Sequence, residues 1–287
     1  MKLAHRSTVL GTETAFEVLA KAKALEAQGK SIVHLHIGAP DFETPPNIVE
    51  AGIKALKDGW HKYTPAKGIP ELREAVCEDI ARYRKADVHP DQILIAPGGK
   101  PTMLYAIAMF GEPGTEILYP NPGFPIYESL IHWSGAKPVP IELREENGFS
   151  FNAEDVLAKI NDRTRLLIVN TPANPTGGVV PKSEMDALAA GLEQHPDVVV
   201  LCDEIYSRLL YDGEEHVSIL DYENLRDRSI VLDGWSKTYA MTGWRLGYGV
   251  WPLSLVDHAE RLQINSTSCP NAATQVAAVE ALRGPQD

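Results

Sequence analysis

The residues best suited to do chemistry fall in Val231–Gly249, VLDGWSKTYAMTGWRLGYG. An apolar run, Ile230 to Leu232, reads as the end of a buried strand. The chain then breaks into a loop carrying Asp233, Gly234, Ser236 and Lys237, and returns through Gly243, Trp244 and Arg245 to a second short strand. One amine and one guanidinium are thus set at the mouth of a core. A lysine that must form an imine has to lose its proton near neutral pH, and desolvation or a neighbouring cation brings that about. Arg245 supplies such a charge, and its planar fork also suits a phosphate. A Lys/Arg pair taken alone is ordinary solvated loop charge, so the reading needs a phosphate cradle, an acid and a flat aromatic elsewhere in the chain.

Each has a candidate. Pro97-Gly98-Gly99-Lys100 opens the helical stretch TMLYAIAMF, and glycines there let backbone N–H groups approach an anion at the positive end of a helix. Phe124, in Asn121-Pro122-Gly123-Phe124-Pro125, is either a core aromatic or a flat face on which a heteroaromatic ring stacks. Thr171-Pro172-Ala173-Asn174-Pro175-Thr176-Gly177 is a rigid turn that fixes the direction of Asn174; Asn before Pro is common turn chemistry, but the amide can also donate to a phenolate. The run VVVLC at Val198–Cys202 is apolar enough for a strand buried on both faces, and Asp203-Glu204-Ile205-Tyr206 follow at once. A carboxylate at that depth is costly unless a cation pairs with it, and a protonated ring nitrogen is such a cation. Tyr206 stands three residues on, within reach of a ring hydroxyl.

These residues need a scaffold that gathers them. Candidate strands are Ile93–Ala96, Glu116–Tyr119, Pro138–Ile141, Leu166–Asn170, Val198–Cys202, Ser229–Leu232 and Gly247–Val250, with helical patterns between most of them. Such alternation predicts an α/β domain with a largely parallel sheet, whose ligands sit beyond the carboxyl ends of the strands. Upstream, Thr14 to Ala27 reads as a helix ending at Gly29. Ile32, Val33, Leu35 and Ile37 read as a strand leading into the turn Gly38-Ala39-Pro40-Asp41. Residues 46–58 and the stretch ELREAVCEDIARY after Pro70 read as helices, the second with Pro in its first turn and acids near its positive end. His34 and His36 would share one face of the first strand, but no third ligand stands near and no metal is expected. No internal repeat or low-complexity segment interrupts the pattern.

The 287 residues can bury a full core, and 44% apolar with 23% charged residues is ordinary for a globular protein. The formal charge of -12, with no Lys/Arg block, disfavours nucleic acid and anionic membrane as partners. Cys77, Cys202 and Cys269 are odd in number, far apart and form no CxxC, which fits reduced thiols rather than a disulfide frame or zinc site. The first residues lack an apolar signal core, and no apolar run is long enough to cross a bilayer. A cytoplasmic location is expected.

In combination and in order, IGAPDF, KYTPAKGIPELREA, PGGK, NTPANPTGG, LCDEIY and GWSKTYAMTGWRLGY resemble the class I/II aminotransferases of the fold-type I pyridoxal-phosphate (PLP) enzymes, from about Thr14 to the last residue. The resemblance implies a three-layer α/β sandwich around a mostly parallel seven-stranded sheet, plus part of a small domain. It implies PLP-dependent transfer of an amino group between an L-amino acid and a 2-oxo acid. By that similarity Lys237 holds PLP as an internal aldimine and moves the proton. Asp203 partners the pyridinium nitrogen, and Asn174 and Tyr206 donate to the ring oxygen. Phe124 stacks on the ring, where many relatives have Tyr or Trp. Gly99, Lys100, Ser236 and Arg245 form the phosphate cradle. Tyr63 matches a tyrosine that reaches a neighbouring subunit's phosphate, which implies a homodimer, and Gly38 matches a backbone contact to substrate. Asn174 and Lys100 also fall among the expected substrate contacts.

The pattern departs in three places. Gly234 stands where relatives often carry a second serine, so one phosphate contact fewer and weaker PLP binding are expected. The resemblance divides the chain into an N-terminal small-domain segment, residues 1–45, and a large PLP-binding domain, residues 46–287. It also implies a further C-terminal small domain, with an arginine for the substrate's α-carboxylate, that this sequence lacks; the sequence reads as a fragment. Lys100 has two readings: its N–H meets phosphate, or its ammonium meets the distal carboxylate of acidic substrates, as in some aspartate and prephenate aminotransferases. The serine/threonine pair of those enzymes is not evident around Ala15–Glu17, so the lean to aspartate/glutamate-type donors is weak. A PLP carbon–sulfur β-lyase and a non-catalytic PLP-binding module, such as the sensor half of a transcription regulator, are the alternatives. The short N-terminus has no room for the DNA-binding helices the module would need.

Overall fold

Seven strands make one sheet in the computed structural model, which describes residues 1–286. They are β1 (Ile93–Ala96), β2 (Glu116–Asn121), β3 (Lys137–Glu142), β4 (Thr164–Asn170), β5 (Val199–Asp203), β6 (Ser229–Gly234) and β7 (Gly247–Val250), in the order β1-β7-β6-β5-β4-β2-β3. β2 to β6 pair in parallel wherever they are neighbours, and β7 runs antiparallel to both β1 and β6. This is the expected three-layer α/β architecture. Because β7 is reversed, its first residue, Gly247, pairs with the last residues of β1 and β6, Ala96 and Gly234. The segment entering β7 therefore lies at the same edge as the carboxyl ends of the other strands, and Arg245 belongs to that segment.

The strands are buried on both faces, and their period of two splits the apolar residues between two cores. Leu94, Leu166, Ile168, Val199, Leu201, Ile230 and Leu232 face one core, with helices Lys100–Phe110, Ile126–Ser134 and Leu253–Ser266. Ile93, Ile95, Leu167, Val169, Val200, Cys202 and Val231 face the other, with helices Pro46–Lys57, Pro70–Tyr83, Lys182–Leu192 and Ala272–Arg283. Each fully buried Leu, Ile or Val contributes roughly 1.5–3 kcal/mol. Followed to the carboxyl ends of β5 and β6, and one residue beyond β5, the same alternation decides where the polar groups point. Asp203 falls on the face of the first core, whereas Glu204 and Asp233 fall on the second.

Two sequence expectations need correction. Ile32–Ile37 forms no strand: no neighbouring strand pairs with it, and Val33, Leu35 and Ile37 stay exposed at 82%, 90% and 39%. Asp233 and Gly234 are not loop residues but the buried end of β6, and Ser236 and Lys237 sit on one helical turn, Trp235–Thr238. The helix in the N-terminal segment is Ala15–Glu26, followed by Gly29 at φ 83°.

Candidate active site

Parallel strands deliver their chemistry at one edge. β1 ends in the Pro97-Gly98-Gly99 turn, β2 in the loop bearing Phe124, β4 in the turn bearing Asn174, β5 in Asp203 and β6 in the helical turn bearing Ser236 and Lys237. Lys237 is half-buried; its Nζ donates to the Gly38 carbonyl oxygen at 2.8 Å and lies 5.7 Å from the centre of the Tyr206 ring. Desolvation, and then the Arg245 charge, hold its pKa below the usual lysine value, while Glu13 acts in the other direction. Both influences named from the sequence therefore act on this amine.

Asp203 is buried, and its Oδ2 accepts a 2.7 Å hydrogen bond from Tyr127 Oη. Its other oxygen receives only the Ile205 N–H at 3.3 Å. Burial raises the carboxyl pKa to about 6 against the lowering effect of Tyr127. No cation pairs with it among the described residues, so the charge on Asp203 awaits a partner. Burial also raises the Tyr206 hydroxyl to about 12, which keeps it protonated and able to donate.

The other side of the edge is a cradle of backbone. Gly98 has φ 94°, a conformation glycine adopts freely, and any side chain there would run into the Arg245 guanidinium. Gly247 packs on the same turn, where an added Cβ would lie 2.6 Å from the Gly98 carbonyl carbon. Gly99 caps helix Lys100–Phe110; Pro101 has no N–H and the Thr102 N–H is taken by the Gly99 carbonyl at 3.1 Å, which leaves the N–H groups of Gly99 and Lys100 at this end. Arg245 holds φ 57°, a left-handed conformation that costs a non-glycine residue roughly 1–2 kcal/mol, and its Nη1 is steadied by the Thr242 carbonyl at 3.0 Å. Phe124 meets Tyr127 edge-on at 5.8 Å, with Lys100 Nζ 5.5 Å from the Phe124 ring centre. An amine of lowered pKa, an acid without a cation, a half-buried aromatic and an arginine beside a glycine turn fit a planar phosphorylated aldehyde such as PLP.

Gly99, Lys100, Phe124, Asn174, Asp203, Tyr206, Ser236, Lys237 and Arg245 thus come to one edge, and Gly38 joins them through Lys237. Tyr63 does not: it stands 91% exposed on the surface of this chain. Sequence reading missed Tyr127, which looks like any helix-buried aromatic. It also missed Asn170, whose amide donates to the carbonyls of Pro172 and Asp203 and whose oxygen accepts the Asn174 N–H at 2.8 Å. Its signal was a polar residue ending an otherwise apolar strand. Glu13, bonded to Lys100 Nζ, was missed too.

Gly234 has a reason other than a lost phosphate contact. A Cβ there would lie 2.7 Å from Gly247 Cα and 3.1 Å from the Leu246 carbonyl oxygen, so the glycine lets β6 and β7 approach. Gly234→Ser is expected to lower stability by about 1–3 kcal/mol through overpacking, measured by urea unfolding, rather than to tighten the site. An unchanged unfolding midpoint would contradict this.

Among the described residues, no helix is long and apolar enough to cross a membrane, and no group of three or more His, Cys, Asp and Glu could hold a metal. His34 and His36 have ring centres 5.2 Å apart, and His34 pairs with Glu26 at 2.7 Å.

Against known families, residues 30–287 match aminotransferase class I and II. An aspartate aminotransferase from Bacillus sp. (strain YM-2) is 36% identical over 99% of this chain and 73% of its own length. An aspartate/prephenate aminotransferase from Nitrosomonas europaea is 37% identical over 100% of this chain and 72% of its own. Among solved structures, the Rhizobium meliloti aspartate aminotransferase superposes with a TM-score of 0.95 at 35% identity, covering 100% of this chain and 72% of that one. The Thermus thermophilus aspartate aminotransferase with maleate gives 0.94 at 36% identity, covering 99% and 73%.

Proposed function

Because the chain belongs to the class I and II aminotransferase family and is a PLP-dependent aminotransferase, we propose that Lys237, Asp203 and Tyr206 carry its transamination chemistry. When bound, PLP supplies a carbonyl that condenses with an amino group and a ring that takes up the electrons left at the substrate carbon. Lys237 presents an amine whose pKa is lowered, so that Nζ serves as nucleophile and then as carrier of the proton to and from the substrate carbon. The Gly38 carbonyl orients that nitrogen. Asp203 would hold a protonated ring nitrogen, Tyr206 and Asn174 would donate to the ring oxygen, and Phe124 would cover the ring. Gly99, Lys100, Ser236 and Arg245 hold the phosphate through N–H, hydroxyl and guanidinium donors.

The observation that carries this reading is the amine of Lys237 beside the Arg245 charge, on the same strand edge as a buried, cation-free Asp203. Its test is reconstitution with PLP, addition of glutamate or aspartate without an acceptor, and assay of the 2-oxo acid released. About one equivalent per chain, without ammonia, is expected. In a parallel run with an S-substituted cysteine as donor, release of ammonia and pyruvate together with the thiol would overturn transamination in favour of elimination.

Acidic donors are the substrates favoured. The matched relatives are named for aspartate, and one of the matched structures is an aspartate aminotransferase with maleate. Lys100, whose Nζ lies 5.5 Å from the Phe124 ring centre, is the cation assigned in this reading to the distal carboxylate. A homodimer with Tyr63 reaching the partner site is part of the same reading, supported by that tyrosine's exposure, and sedimentation equilibrium decides it. Residues 1–45 are read as a unit apart from the large domain, which accords with the exposed Val33 and Leu35. A cytoplasmic setting accords with three free cysteines.

Tyr127 offers a pH test of the Asp203 role. With the carboxyl titrating at about 6, ionised Asp203 is present above that pH and lost below it, so PLP affinity should fall as pH drops through 6. Tyr127→Phe removes the bond that favours the charged form and should move this fall upward by about one pH unit, since a hydrogen bond to a charged group is worth about 1.5–3 kcal/mol. PLP dissociation constants measured from pH 5 to 8 check it. Superimposable profiles would remove Asp203 from the role.

A further inference from the structure

One carboxylate stands inside the site without a part in the chemistry. Glu13 lies in the short link between the His5–Thr8 turn and helix Ala15–Glu26, and its side chain is only 17% exposed. It forms an ion pair with Lys100 Nζ, the ammonium that also lies 5.5 Å from the Phe124 ring centre. The link is fastened to the scaffold two residues earlier, where the Gly11 N–H donates at 2.8 Å to Ser129 Oγ on the helix that follows Phe124. Glu13 is also near enough to influence the titration of Lys237 and Tyr206. The carboxylate is therefore held over the site by a local anchor and spends its charge on Lys100.

We propose that Glu13 is a specificity-determining residue, an internal carboxylate that occupies Lys100 and must be displaced before the distal carboxylate of a dicarboxylic substrate can bind there. The inference rests on the aminotransferase reading, because Lys100 recognises a substrate only if substrate enters at this edge. Its logic is charge accounting. A free ammonium beside the ring site attracts a second substrate carboxylate; an ammonium already paired attracts it far less, and a nearby Glu13 repels it. A donor with a neutral side chain makes no demand on Lys100 and is indifferent to Glu13. Glu13 thus narrows the advantage that acidic donors would otherwise have, and its release from Lys100 accompanies their binding.

The test uses the PLP-loaded protein and two non-reacting ligands, succinate with two carboxylates and butanoate with one, titrated by calorimetry. In Glu13→Gln, succinate affinity should rise about fivefold to tenfold, in line with removing one partner of a half-exposed charge pair, while butanoate affinity stays the same. In Glu13→Gln combined with Lys100→Ala, the gain should vanish. Unchanged succinate affinity in Glu13→Gln overturns the proposal, as does an equal gain for both ligands, which would make Glu13 a general repulsive charge. Because only binding is read, these outcomes are separable from failure of the transaminase reading, which shows as no 2-oxo acid from any donor. In kinetics the same variant should raise kcat/KM for aspartate relative to alanine without changing that for alanine.

Discussion

Lys237→Ala is expected to reduce amino-group transfer by on the order of 10⁴-fold or more while leaving the protein folded. The loss is large because one nitrogen does two jobs, nucleophile and proton carrier, and no other amine among the described residues combines this burial with this placement. Stability should barely change. The one hydrogen bond of Nζ is to the Gly38 carbonyl, and Gly38 sits on an exposed segment. Removing a desolvated cation next to Arg245 relieves repulsion. The variant should still bind PLP through the glycine turn, Ser236 and Arg245, but without the visible band of the lysine-bound cofactor. Single-turnover 2-oxo acid release, that spectrum and a urea curve together check it. Retained turnover with a normal urea curve would show that the proton moves through another group.

Much of this was legible before any coordinates. All seven strands were located within two residues at each end, because strands buried on both faces are short, apolar and closed by turn residues. The site residues were legible for a related reason: charge or amide at the end of an apolar strand is unusual, and Asp203, Asn174 and Lys237 each follow one. What escaped depends on partners remote in sequence. Tyr127 and Asp203 are 76 positions apart, Glu13 and Lys100 87, and Arg84 and Asp233 149, and no local pattern announces such pairs. Ile32–Ile37 misled in the opposite way. Its alternation satisfies the strand pattern, but a strand also needs a neighbour to take its backbone hydrogen bonds, and none adjoins it. Asp233 was misplaced because an acid usually ends a strand; here β6 runs on, since Arg84 receives that acid within the core.

That buried pair yields the second large effect. Arg84 comes from the end of helix Pro70–Tyr83 and is 6% exposed. Its Nε donates to Glu204 Oε2 at 2.8 Å, and its Nη2 bonds Asp233 and, at 3.2 Å, Ser207 Oγ. Glu204, fully buried, also accepts from Ser218 Oγ at 2.9 Å and the Ile219 N–H at 3.1 Å, with His216 Nε2 3.0 Å away. Burial alone would raise the Glu204 carboxyl, but His216 and Arg84 more than offset it and hold it well below the usual range. The arginine thus ties the residue after Asp203 to the residue four before Lys237, on the sheet face opposite Asp203. Arg84→Met keeps most of the volume and strands two buried carboxylates, so it should cost about 3–5 kcal/mol at neutral pH. The sign with pH follows. A depressed carboxyl contributes stability above its unfolded pKa and loses it on acidification towards its folded value, so the wild type should lose stability below about pH 4.3. Without Arg84 the Glu204 carboxyl loses one of the two cations that depress it, titrates higher, takes up a proton as pH falls and sheds part of its penalty. The deficit of Arg84→Met relative to wild type should therefore shrink by pH 5 in urea unfolding. A deficit equal at both pH values would mean that lost packing, not stranded charge, is what Arg84 prevents.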